Sequence, residues 1–266
     1  MINHHVTVPG ADLHYEIRGD GPLLLVVGSP MAAAEFAPLA EALARDHTVV
    51  TYDPRGHGSS AISGPDDDAT PDQRADDIAA ILDDLGAADA NVFGSSGGAV
   101  TGLALVSRHP GRVRTLVAHE PPLLELLPDA EEQRRATDAI VEAFRTQGFG
   151  PAWHRFMVNA GFDLPSPGPD APPPPAPTDQ QLAEAARFFE HELRPTTRYL
   201  PDIPALAASN MVVGIGEDSG HLVTYRTSVA LAELLGIKPV DFPGDHGGFL
   251  GAPVEFAGRL REVLAR

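Results

Sequence analysis

The first 120 residues move between two rhythms. Short apolar runs of strand length are separated by longer stretches in which apolar residues recur every three to four positions. Residues 5–8 and 13–18 read as two strands of a hairpin turning near Pro9 and Gly10. Leu23–Val27 is a continuous apolar run that stops at Gly28, the pattern of a strand covered on both faces. Residues 32–44 have helical spacing, and Thr48–Tyr52 reads as the next strand. A helix is predicted over 71–85, with Thr70 as its N-cap and Gly86 as its stop. A strand over 90–93, a helix over 98–108 and a strand over 113–118 follow. Strands that alternate with helices predict a mostly parallel sheet with helices on both faces.

After Glu120 the rhythm breaks. Residues 121–205 contain no convincing strand but offer helices over 130–146, 152–158 and 179–193. Between the last two helices, residues 166–178 are rich in proline, which favours an extended connector with no core of its own. The earlier rhythm returns with a strand at 211–214, a helix at 225–235, a strand at 239–242 and a helix at 254–264. The organisation expected is an α/β core made of residues 1–120 and 206–266, interrupted by a helical cap at 121–205.

Composition narrows the function. At 266 residues the chain is long enough to bury a full core. A formal net charge of −18 argues against nucleic acid or an anionic membrane as a partner, since both need a basic surface. The absence of cysteine excludes disulfides, cysteine–metal sites and a thiol nucleophile. The first residues carry neither a basic nor an apolar signal region, and no apolar run reaches the length of a membrane span, so a cytoplasmic location is expected. A homo-oligomer is compatible with this composition.

Chemistry concentrates at Gly94-Ser95-Ser96-Gly97-Gly98. A serine between a strand and a helix, with glycines two before and two after, can occupy a tight turn that lifts its hydroxyl above the sheet edge. Ser96 is therefore the candidate nucleophile. A serine hydroxyl needs a base, usually a histidine oriented by a carboxylate. Of the 11 histidines, His246 follows the last predicted strand in a glycine-flanked loop, which suits it for that base. For the carboxylate, Asp218 closes an apolar strand and lies between Ser96 and His246 in the chain order Ser, Asp, His. Its neighbour Glu217 competes, and Glu120, at the end of the strand after the serine helix, is the second candidate. Oxyanion donors are expected from the N–H of Gly97, at the start of a helix, and of Ser29, in the loop after the first long apolar strand. Trp153 and Phe156 of the cap, with Met31 and Phe249, are candidates to line an apolar substrate pocket.

Five segments together resemble the α/β-hydrolase fold. They are Val27-Gly28-Ser29-Pro30, the stretch from Tyr52 to Ser60, the Ser96 turn, Gly216-Glu217-Asp218, and Gly244-Asp245-His246. The resemblance implies an eight-stranded, mostly parallel sheet, a Ser–Asp–His triad at Ser96, Asp218 and His246, and a cap over the site. It implies a mostly architectural role for Arg55 and His57. Two departures stand out. Val27 replaces the usual histidine before Gly28. Ser219, not an acid, stands three residues after Gly216, where members of the family often carry the carboxylate. Some relatives draw that acid from the preceding strand, which keeps Glu120 open.

The function expected is hydrolysis of an ester, thioester or lactone through an acyl-enzyme, with a small to medium, largely apolar acyl substrate and with neither metal nor cofactor. Carbon–carbon bond hydrolysis and cofactor-free perhydrolysis could use the same residues, and a silent ligand-binding homologue is the non-enzyme alternative.

Overall fold

The computed structural model describes residues 1–63, 67–164 and 176–265. Among the described residues, nine strands form one sheet: β1 (Ile2–Val8), β2 (Ala11–Arg18), β3 (Leu23–Val27), β4 (Thr48–Tyr52), β5 (Ala61–Ile62), β6 (Ala90–Ser95), β7 (Val113–His119), β8 (Met211–Gly216) and β9 (Val240–Phe242). Eight follow the order β1-β2-β4-β3-β6-β7-β8-β9, and the two-residue β5 pairs with β2 off that path. The eight predicted strands are all present, and β5 is too short to leave a periodic signal. From β4 to β9 every neighbouring pair is parallel, whereas β1–β2 and β2–β4 are antiparallel. The β1–β2 hairpin turns through Pro9 and Gly10, where Gly10 supplies the positive φ the tight turn needs.

The helices are α1 (Ala37–Leu43), α2 (Pro71–Asp84), α3 (Gly97–Arg108), α4 (Ala130–Gln147), α5 (Phe149–Ala160), α6 (Asp179–Arg187), α7 (Leu193–Thr197), α8 (Ile203–Ala207), α9 (Val223–Leu235), α10 (Gly248–Gly251) and α11 (Pro253–Leu264). Thr70 caps α2 by accepting from the Gln73 N–H, as its position in the sequence predicts. The predicted helix over 32–44 divides into a 3-10 turn, Ala33–Phe36, and α1, with Pro38 in the first turn of α1. The helix predicted over 179–193 runs on to Thr197 through a π-turn at Phe188–Glu192. Residues 166–175 of the proline-rich connector lie outside the described residues.

Apolar side chains on the two faces of the sheet form separate cores. One joins Leu25, Val92 and Leu116 to α2, α3 and α9, and the other joins Leu24, Val26 and Phe93 to α1 and α11. Between β7 and β8 the described residues contain helices and a 3-10 turn but no strand. These helices have a small core of their own around Ile140, Val141, Ala152 and Phe189. Buried polar contacts tie this insertion to the loop after β4 and to α2. His57 Nε2 lies 2.9 Å from Glu192 Oε1 in the π-turn, and Arg74 Nη2 donates to Thr196 Oγ1 at 2.7 Å. Arg55 is locked onto Asp77 through Nε at 2.8 Å. Arg55 and His57 thus brace the architecture. No helix among the described residues is long and apolar enough to cross a membrane.

Candidate active site

The strand order reverses at β3. From there the chain builds outward in both directions, so a crevice opens between β3 and β6 at their carboxyl ends, where α/β sheets bind ligands. Ser29 follows β3 and Ser96 follows β6, one on each side of that crevice.

Ser96 adopts φ 55° and ψ −123°, a conformation that non-glycine residues rarely take. Its N–H donates to the His119 carbonyl at 2.9 Å, and its carbonyl accepts from Ala99 and Val100 as α3 begins. The flanking glycines are sterically required. A Cβ on Gly94 would lie 2.5 Å from the Gly98 carbonyl oxygen, and one on Gly98 would collide with the Val27 carbonyl. Gly97 opens α3, where an N–H has no acceptor within the helix. A Cβ on Gly97 would lie 2.5 Å from the Ser29 carbonyl oxygen, so the two proposed donor residues are packed against each other.

His246 sits between β9 and α10, as its glycine-flanked position predicts. Its carboxylate partner is not Asp218. His246 Nδ1–H donates to Glu120 Oε2 at 2.6 Å. Glu120 also accepts from the Gly216 N–H at 2.8 Å and from Thr224 Oγ1 at 2.9 Å, and its side chain is fully buried. Burial alone would raise its pKa. The hydrogen bond from His246, the charges of His119 and His246 and the Ser219 hydroxyl more than offset this and hold it at about 2. Glu120, like Ser96, has a positive φ, 49°.

The turn after β8 explains why Asp218 misses the site. Glu217 N–H donates to the Phe242 carbonyl, Asp218 N–H to that of Gly244 and Ser219 N–H back to that of Gly216. This winding turns Glu217 and Asp218 to solvent and buries Ser219 beside Glu120. The position where relatives often carry the acid thus holds a small hydroxyl, which leaves room for a carboxylate arriving from β7.

Beneath His246 lies His119, whose ring centroid is 6.2 Å away at an interplanar angle of 25°. It is fully buried among Phe93, Phe242, Phe249 and Phe256, with Nδ1 3.3 Å from Ser95 Oγ. Burial lowers its pKa to about 4, against the opposing pull of the Glu120 charge.

Ser96, Gly97, Ser29 and His246 line one cavity of about 390 Å³. Met31, Trp153, Phe156 and Phe249 line it too, so all four candidate pocket residues meet there. The periodicity of the sequence did not single out Leu124, Ile140, Phe162 and Leu193, which also reach the cavity. For Ile140 the signal was present in the apolar stripe of α4 (Ile140, Val141, Phe144), but which side of the stripe faces a cavity depends on how α5 packs. Phe162 packs edge-on against the His246 ring at 6.2 Å.

A parallel sheet with a serine on a strained strand–helix elbow, and a histidine–carboxylate pair brought up from later strands, is the arrangement of an α/β hydrolase. The chain belongs to that family: residues 21–193 match the alpha/beta hydrolase fold. An uncharacterized hydrolase from Bacillus subtilis, YraK, is 34% identical over 99% of this chain and 96% of its own length. A putative carbamate hydrolase from Azorhizobium caulinodans, RutD, is 42% identical, but over only 40% of each protein. Among solved structures, a thermophilic esterase from Thermogutta terrifontis superposes with a TM-score of 0.76 over 100% of this chain and 98% of its own, at 17% identity. At that identity the likeness bears on the fold alone.

Proposed function

We propose that this hydrolase is a serine enzyme cleaving carboxylic esters, thioesters or lactones whose acyl groups are uncharged and largely apolar. Ser96 Oγ attacks the carbonyl carbon while His246 Nε2 takes its proton. Glu120, bonded to Nδ1, fixes the ring with Nε2 toward the cavity and compensates the imidazolium that forms. The N–H groups of Ser29 and Gly97 receive the oxyanion, and the dipole of α3 adds to their field. Collapse expels the alcohol or thiol, which takes the proton from His246 and leaves the acyl group on Ser96. Water, deprotonated by the same imidazole, then releases the acid.

One observation carries this reading. A serine held on a positive-φ turn lines the same cavity as a histidine whose Nδ1 is committed to a buried carboxylate. The substrate class rests on the lining. Among the described residues, the charged or ionisable side chains bordering the cavity are Asp245 and His246, and neither arginine nor lysine borders it.

A fluorophosphonate probe provides the test. The folded wild-type protein is expected to take up one equivalent, mapped to Ser96, and Ser96→Ala to take up none. Failure of the folded wild type to react, or labelling at another residue, removes Ser96 from its role.

A further inference from the structure

A second cavity, of about 570 Å³, lies against the helical insertion on the other side of the α4–α5 pair. The helix stripes show the division. On α5, Trp153, Phe156, Met157 and Ala160 face the cavity above Ser96. Pro151, His154, Arg155 and Val158, on the same i, i+3, i+4, i+7 spacing two residues earlier, face the second. On α4, Thr137 borders only the first, and Ala136 and Ala139 only the second.

Among the described residues, two border both cavities, Ile140 and Asn159. Bordering both, they stand between the two spaces. Ile140 is 3% exposed and apolar. The Asn159 amide is held by a long bond, Nδ2 donating to Gln133 Oε1 at 3.5 Å. The outer space is lined by small or apolar Ala136, Ala139, Pro151 and Val158, and also by Gln147, His154 and Arg155. An acyl group anchored at Ser96 therefore has an apolar route that ends on the Ile140 side chain, with a further compartment directly behind it.

We propose that the outer groove is the distal subsite for the substrate's acyl chain and that Ile140 sets the chain length at which it comes into use. The occupant is the tail of a long, unbranched acyl group, because a methylene chain is narrow enough to pass where one side chain turns aside. This rests on the serine-hydrolase reading above and adds to it a substrate class and a specificity-determining residue.

The experiment measures kcat/KM for p-nitrophenyl butyrate and dodecanoate and takes the ratio of long to short chain. Trimming the side chain with Ile140→Ala is expected to raise that ratio at least tenfold, and the milder Ile140→Val to raise it less. Filling the outer groove with Ala139→Phe, an exposed position on α4, is expected to lower it at least fivefold. Butyrate turnover with ratios within twofold of wild type in all three variants overturns the subsite. Absence of wild-type butyrate turnover together with absence of fluorophosphonate labelling overturns the parent reading instead. The groove is then tested without chemistry, through quenching of Trp153, the single tryptophan, which lines the inner cavity. Dodecanol is expected to bind Ala139→Phe at least fivefold more weakly than wild type, and equal affinity overturns the subsite in that case as well.

Discussion

Two buried ionisable residues, adjacent in the chain, behave in opposite ways. Glu120 is held ionised, with a pKa of about 2, whereas His119 is held neutral, with a pKa of about 4. Both pKa values lie below those of the unfolded chain, so each residue contributes stability that is lost on acidification. For His119 the contribution is complete above the unfolded value near 6.5 and drains away as pH falls to about 4. At about 1.4 kcal/mol per pKa unit this is on the order of 3 kcal/mol. The Glu120 contribution is complete above about 4.5 and is lost in the next window down, toward 2. Urea unfolding at several pH values checks the first window. His119→Phe, which matches the surrounding rings, is expected to flatten the dependence of stability on pH between about 6.5 and 4 relative to wild type. An unchanged slope would mean that His119 already takes up a proton in the folded protein.

At the scale of elements, the β6–Ser96–α3 elbow depends on close backbone approach. Gly98→Ala sets a methyl group against the Val27 carbonyl, so β3 and α3 must separate. The variant is expected to lose about 3 kcal/mol or more, or to fail to fold. Gly220→Ala, with open space at its Cβ, should stay within about 0.5 kcal/mol of wild type. Thermal or denaturant unfolding of the two variants makes the comparison. This elbow was legible in the sequence because its requirement is local: strand pattern, glycine spacing and helix pattern fall within one short segment. The helices of the insertion were legible for the same reason, through their apolar stripes. The π-turn at Phe188–Glu192 was not. It brings Glu192 onto His57, more than a hundred residues earlier in the chain, and no local pattern records that partner.

At the scale of the whole molecule, the sheet gathers Ser96, Glu120 and His246 from the ends of β6, β7 and β9 into one place. Chain order picked out a serine and a histidine that line one cavity but favoured Asp218 as the acid, whereas the histidine bonds to Glu120. Order says which strand end an acid follows, not which way it turns. The backbone bonds after β8 direct Glu217 and Asp218 to solvent, and the positive φ of Glu120 carries its carboxylate beneath the neighbouring strand end. Neither fact has a sequence signature. Charge also acts at this scale. A chain of net charge −18, with Asp245 at the site and neither arginine nor lysine bordering the inner cavity among the described residues, repels an anionic acyl group. Ethyl butyrate is expected to be hydrolysed with kcat/KM at least about tenfold above that of monoethyl succinate, a difference of about 1.4 kcal/mol in the barrier. Equal values would point to a cation serving the site from elsewhere.

The assembly of Ser96, His246 and Glu120 is tested most directly by comparing two conservative variants on p-nitrophenyl butyrate. Glu120→Gln preserves shape but removes the charge that supports the imidazolium, and kcat is expected to fall by about a thousandfold or more. Asp218→Asn, on an exposed residue, is expected to keep kcat within about twofold of wild type. The reverse pattern, with Asp218→Asn losing turnover and folded Glu120→Gln retaining it, would show that the buried carboxylate bonded to His246 is not the one that supports the reaction.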